Sequence, residues 1–254
     1  MIKDVIVEAK LDLTHTTRAS ERMLPGQIPG ATVYHHVMMS GDVMQFMADP
    51  GFIRILFLCQ GEVTFALDGR EWLYAEKAVF VPLPEQTVDV KVQQTAHMLE
   101  VRWELIEADR EELSQRRDQF PVTARYVDAM QYRDPFKSEK TISRAIIPHR
   151  LLPRFAMGSV QTYADDLIGQ HEHPLLDQFF FSLPENNMTL LIDDIQYPMG
   201  RDTLLHIPLG SNHGVSVTGD EVAHYIWIDF IPDPEKGNAY LDEVHKPTGS
   251  SRSF

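Results

Sequence analysis

The chain carries one stretch twice. FIRILFLCQGEVTFALDGREWLYAEKAVFVPLPEQTVDV, residues 52–90, runs in step with DQFFFSLPENNMTLLIDDIQYPMGRDTLLHIPLGSNHGVSV, residues 177–217. The offset is 125 and becomes 126 after one added residue, so Thr64 falls on Thr189, Asp68 on Asp193 and Pro82 on Pro208. A repeat of this length restricts the fold to two copies of one unit. In each copy, short runs rich in Val, Ile, Phe and Thr are broken by turn signals: QGE, LDG and PLP in the first, PENN, IDD and PLG in the second. Such spacing, roughly 8–12 residues, is that of a β-sandwich or barrel.

The expected fold is all-β, in four segments: an N-terminal barrel over 1–105, a charged linker over 106–140 with a short helix near Asp109 to Arg117, a C-terminal barrel over 141–230, and a polar tail over 231–254 rich in Pro, Gly and Ser. Lys and Arg total 23 against 37 Asp and Glu, a net charge of −14. That balance repels phosphate backbones and anionic lipid, so neither nucleic acid nor a membrane is expected as a partner. Cys59 is the single cysteine, which rules out an intrachain disulfide. The first residues, MIKDVIVEAKLDL, carry charges where a secretion signal has an apolar core, and a cytoplasmic protein is expected. The same segment alternates like an edge strand able to add to a neighbouring sheet, and a homodimer is expected.

The chemistry concentrates in GQHEHPLLDQ, residues 169–178, and PLGSNHGV, residues 208–215. Alternate residues of a strand share a face, so His171 and His173 point into one cavity. His213 arrives from a separate strand after a Pro-Leu-Gly turn, and three converging imidazoles make a metal site.

HxHxxxxQ followed by PxGxxH resembles the two motifs of the cupin superfamily, and the doubled unit resembles a bicupin, covering about Val33 to Phe230. The residues that carry this are His171, His173, Gln178, Gly200, Pro208, Gly210 and His213. The resemblance implies two tandem jelly-roll-like barrels and a divalent ion (zinc, manganese, iron or nickel) in the second. The family's first motif usually has Glu after its histidines, three or four residues on, which leaves Asp177 and Gln178 as alternatives for the fourth ligand. Gln178 is preferred because it keeps FFFSLPEN aligned with the first copy. With Gln178 the ion's charge is uncompensated, which favours an anionic small-molecule substrate or a metal-bound hydroxide.

In the first copy, position 171 maps to Phe46, 173 to Ala48, 178 to Ile53 and 213 to Thr87. The N-terminal barrel is therefore expected to hold no metal there and to serve as a packing partner. His35 and His36, being adjacent in a strand, face opposite ways. Strand parity places Gln178, Phe180 and Ser182 on one face, and Tyr225, Trp227 and Asp229 together on another strand. Gln161, Tyr163 and His206 are further candidates for the site. Asp177, Tyr163 and Asp229 are the candidates for a catalytic base. The layout is similar to that of bicupin ketol-isomerases of uronate and inositol catabolism. This implies a metal-dependent isomerase or lyase of a small hydroxy-carbonyl compound such as a sugar or sugar acid; the alternatives are an iron-dependent dioxygenase and a non-catalytic cupin that binds a small ligand.

Overall fold

The computed structural model describes residues 6–173 and 175–248. It divides into two compact units, one over Asp12–Asp128, the other over the chain from Ala129 onward together with the N-terminal segment through Leu11.

In the first unit the strands lie in the order Ala19–Met23, Ala31–Met38, Val88–Glu104, Phe52–Leu67, Ala78–Val81 and Val122–Arg125, all antiparallel. Val43–Phe46 pairs with the start of the Val88–Glu104 strand, and Arg70–Tyr74 with the end of Phe52–Leu67. The second unit repeats this pairing with its long strands broken in two. Its larger sheet runs Glu8–Lys10, Thr203–Ile207, Asp177–Ser182, Val222–Phe230, Phe155–Tyr163, Ile142–Leu152, Met130–Arg133 and Lys246–Pro247. The smaller runs Asp166–Glu172, Asn212–Val217, Met188–Ile192 and Ile195–Met199. Turn residues at PENN and TGDE make the breaks.

Apolar side chains of both sheets meet inside the second unit, among them Val160, Ile168, Phe180, Leu190, Val215 and Tyr225. Burying each stabilises the fold by roughly 1.5–3 kcal/mol before chain entropy is counted. The first unit fills the matching space with Leu56, Phe65, Phe80, Val90 and Met98. Its ladder sets Phe46 opposite Val88, where the second unit sets His171 opposite His213. Backbone pairing thus puts Val88, the neighbour of Thr87, at the position of His213, and either way the first unit has no imidazole there. His35 and His36 do face apart: His35 Nε2 lies 3.1 Å from His97 Nδ1, and His36 Nε2 lies 2.9 Å from Glu100.

Three segments differ from the sequence expectation. Residues 106–140 are barrel rather than spacer: after a helix at Glu107–Ser114, Val122–Arg125 closes the first unit's sheet and Met130–Arg133 joins the second's. High charge in the surrounding segment masks these short strands, whose buried residues are Val122 in the first and Gln131 and Tyr132 in the second. The polar tail contains a helix, Pro234–Val244, with Pro234 in its first turn and Asp233 accepting the Lys236 N–H at its cap. Leu241 and Val244 bury it against Leu176 and Ile231, and Lys246–Pro247 then pairs with Tyr132 and Arg133. Residues 249–254 of that tail lie outside the described residues. Within the N-terminal arm, Glu8–Lys10 pairs with Thr203–Leu205 of its own chain, and residues 1–5 lie outside the described residues.

Candidate metal centre

Asp166–Glu172 and Asn212–Val217 run antiparallel with His171 directly opposite His213. A register shift between Ile168 and His171 brings the two backbones together at Gly214, where a Cβ would come within 2.6 Å of the Ile168 carbonyl oxygen. Glycine there lets the bulge turn the histidine strand toward its partner. His173 follows at the strand's end. The three rings have centroids 4.6, 5.2 and 5.1 Å apart, and one ring nitrogen from each lies within 4.8 Å of the others. Among the described residues this is the one group of His, Cys, Asp or Glu with metal-binding spacing.

The tautomers are set by the backbone. His171 Nδ1 donates to the Gly169 carbonyl at 2.8 Å and His213 Nδ1 to the Ser211 carbonyl at 3.1 Å, which leaves each Nε2 with a free lone pair. Burial lowers the pKa of all three imidazoles, that of His213 to about 3, so they are neutral at physiological pH.

Gln178 sits opposite Asp229 in the ladder between Asp177–Ser182 and Val222–Phe230. Its Nε2 donates to Asp229 Oδ1 at 2.8 Å, which fixes the amide orientation. Oε1 is then buried with no hydrogen-bond partner among the described residues, as is His173 Nδ1. An orphaned amide oxygen in one cavity with three neutral imidazoles is a nitrogen and oxygen donor set that fits a divalent transition ion. Asp177, the alternative, does not line the cavity. It is half-buried, and burial raises its carboxyl pKa.

The cavity is small, about 30 Å³. Besides the histidines and Gln178 its wall includes Phe180, Tyr225, Trp227 and Asp229, the faces that strand parity assigned. Burial raises the Asp229 carboxyl to about 7, opposed by the Gln178 hydrogen bond. Tyr163 is 41% exposed at the end of its strand and does not line the cavity. Gln161 accepts from Arg144 at 3.1 Å, and His206 lies beside Phe179 with ring centroids 5.8 Å apart; neither lines the cavity. Ser182 is buried but committed to the turn before Thr203, donating to the Gly200 carbonyl at 2.7 Å.

Sequence reasoning missed Tyr132, Asp134, Lys137 and His245, all of which line the cavity. Lys137 Nζ lies 2.7 Å from Asp134 and 3.4 Å from the Tyr132 hydroxyl, with both members of the ion pair under a tenth exposed. Asp134 also turns the loop by accepting the Phe136 N–H at 2.9 Å, and Phe136 stacks flat on His171 with centroids 4.3 Å apart. The one available signal was an Asp-Pro-Phe-Lys turn inside a charged run. Tyr240 of the Pro234–Val244 helix meets His173 edge-on at 5.5 Å.

Two tandem barrels, the second holding a three-histidine cluster, define the chain as a bicupin in fold. Solved structures bear this out. The chain is similar to a cupin 2 conserved barrel domain protein from Leptotrichia buccalis (TM-score 0.63, 10% identity, 91% of this chain and 99% of that one). It is also similar to a putative glyoxylate induced protein from Pseudomonas aeruginosa (0.69, 11%, 84% and 80%). A third likeness is to Bacillus subtilis oxalate decarboxylase, described with Mn(II) centres (0.58, 13%, 80% and 69%). No family model and no curated protein matches the sequence. Among the described residues no helix is long and apolar enough to cross a membrane.

Proposed function

We propose that the second unit is a metal-dependent isomerase or lyase site for a small acid with a hydroxyl or carbonyl group beside its carboxylate, sugar acids being one such class. One observation carries the reading: the Lys137 ammonium stands in the wall of the cavity that holds the three imidazoles. Burial opposes its charge, yet Tyr132 and Asp134 more than offset that and raise its pKa, so it stays cationic. Two of its three N–H groups are spent on Asp134 and Tyr132; the third is available to a substrate carboxylate.

His171, His173, His213 and Gln178 would hold the ion, which when bound supplies Lewis-acid polarisation of a substrate oxygen. Of the carboxylates lining the cavity, Asp134 is spent on Lys137 and Asp229 is not, so Asp229 is assigned to moving the substrate's proton. Gln178 Nε2 holds that carboxylate in place. The stacked rings of Phe180 and Tyr225, 4.6 Å apart, supply an apolar part of the cavity wall. Two of the similar structures are described by names that refer to oxalate and glyoxylate, both small acids, which agrees with this substrate class. Assembly as a homodimer belongs to the same reading and is checked by light scattering.

The test is turnover by protein loaded in turn with zinc, manganese, iron or nickel. Small 2-hydroxy, 2-oxo and sugar acids are supplied in deuterated water, and products and exchange at carbon are followed by NMR. Product or exchange that depends on metal and weakens in Lys137→Met supports the proposal. Dioxygen uptake with iron would replace it with the dioxygenase, and tight binding without turnover or exchange would leave a ligand-binding cupin.

A further inference from the structure

A second, larger cavity of about 210 Å³ adjoins the metal cavity in the same unit. The two share Tyr132, Trp227 and His245, so these rings form the partition. We infer that the larger cavity is a subsite for a flat apolar group, an aromatic ring or short branched chain, borne by the acid whose carboxylate sits at Lys137. The inference rests on the proposed acid site and narrows its substrate from polyhydroxylated sugar acids to aryl- or alkyl-bearing hydroxy or oxo acids.

Size is the first ground. An apolar cavity of about 150 Å³ takes up benzene, so this one has room for a six-membered ring with a substituent. The 30 Å³ beside the histidines admits only the polar head. Chemistry is the second. Met130, Ala145, Pro148 and Pro247 offer no side-chain hydrogen bonds to a row of hydroxyl groups. Of the polar members, His149 Nε2 bonds Asp242 at 2.8 Å, and Asp242 also takes Arg150 at 2.6 Å.

The partition suits a ring as well. His245 lies 4.2 Å from Tyr132 and 5.4 Å from Trp227 between centroids, a set of flat faces on which a ring can stack. Burial lowers the His245 pKa to about 3, so the partition carries no charge there. Trp227 Nε1–H is buried with no acceptor among the described residues and is a ready donor to a ligand oxygen. Its ring lies over Gly158, where a Cβ would come within 2.2 Å of it and 2.1 Å of the Arg144 carbonyl oxygen. The chain thus gives up a side chain in mid-strand at a position that seats this wall.

The experiment is calorimetry on the metal-loaded full chain with lactate, phenyllactate and benzyl alcohol. Phenyllactate is expected to bind at least about tenfold tighter than lactate, the gain expected from burying a ring. That ratio should fall toward one in Ala145→Leu, which fills the cavity from within. Met130→Trp, at an exposed rim position, is the second variant should the buried change impair folding. A ratio near one in the wild type, or a gain that survives both variants, overturns the subsite. Lactate binding that needs Lys137 beside a ratio of one leaves the acid site standing and the subsite refuted. Benzyl alcohol binding that Met130→Trp abolishes, with no lactate binding, supports the cavity as a ring site and refutes the acid site.

Discussion

Replacing Lys137 with methionine tests the electrostatics of the second unit most directly. The ammonium and the Asp134 carboxylate are 2.7 Å apart, with side chains 8% and 4% exposed. Methionine keeps most of the volume and removes the charge. Asp134 is left buried, with the Phe136 N–H at 2.9 Å among its remaining partners. Breaking a buried pair from one side costs about 3–5 kcal/mol, a large share of the roughly 5–15 kcal/mol that holds a domain together. The double variant Lys137→Met/Asp134→Leu removes the stranded charge too and should recover most of that loss.

The loss also has a pH signature. In the wild type, burial opposes the Asp134 charge, but Lys137 and the Phe136 N–H more than offset it and hold its pKa below the usual value. Its contribution is therefore present above the ordinary carboxylate range and lost as pH falls through the lowered pKa. Without Lys137 burial dominates, the carboxyl pKa rises, and protonation relieves the variant as pH falls. The deficit should be widest near pH 7 and shrink toward pH 4. Urea unfolding followed by fluorescence measures it, since Trp227 is the second unit's tryptophan while Trp72 and Trp103 lie in the first. A midpoint shift on the order of 1–3 M is expected for the single variant. A loss below about 1 kcal/mol, or a double variant no more stable than the single one, would refute the buried pair as described.

Other substitutions read other parts of the molecule. His213→Ala should lose the bound ion by elemental analysis of untagged protein; metal retained at one per chain would refute the ligand set. Asp229→Ala, which frees Gln178, should weaken metal binding by about 10–100-fold in a chelator competition, and unchanged affinity would dissociate Gln178 from the ion. In the first unit, burial holds the His35 pKa down to about 4, with neighbouring His97 adding to the effect. The unfolded chain takes up that proton at about 6.5, so stability should fall as pH drops from 6.5 toward 4, by up to about 3 kcal/mol. His35→Gln should flatten that slope in urea titrations at several pH values. Gly158→Ala forces a methyl group into Trp227 and the Arg144 carbonyl; a loss of about 1–3 kcal/mol with a shifted Trp227 emission is expected, and neutral behaviour would mean the ring is not seated as described.

What the sequence disclosed and what it hid follow from how far each feature reaches along the chain. The repeat, the strand alternation and the pair of motifs are local patterns, and period-two parity grouped Phe180 with Gln178, and Tyr225, Trp227 and Asp229 together, all of which line the cavity, though Ser182 of the first group does not. Alignment of FFFSLPEN with the first copy favoured Gln178 over Asp177, and of the two it is Gln178 that lines the cavity. Lys137 and His245 were hidden for the opposite reason. Each lies in a segment whose composition is that of solvated chain: Lys137 in the connection between the paired strands Met130–Arg133 and Ile142–Leu152, and His245 just before Lys246–Pro247, which pairs with the sequence-distant Met130–Arg133. A charge run averages over faces, so one inward lysine among outward neighbours leaves no periodic trace. Tyr163 failed because its strand reaches the surface before the residue does, leaving the ring 41% exposed. The three clustered histidines are thus written in short motifs, while Lys137 and His245 come from segments that only the folded topology brings to the cavity.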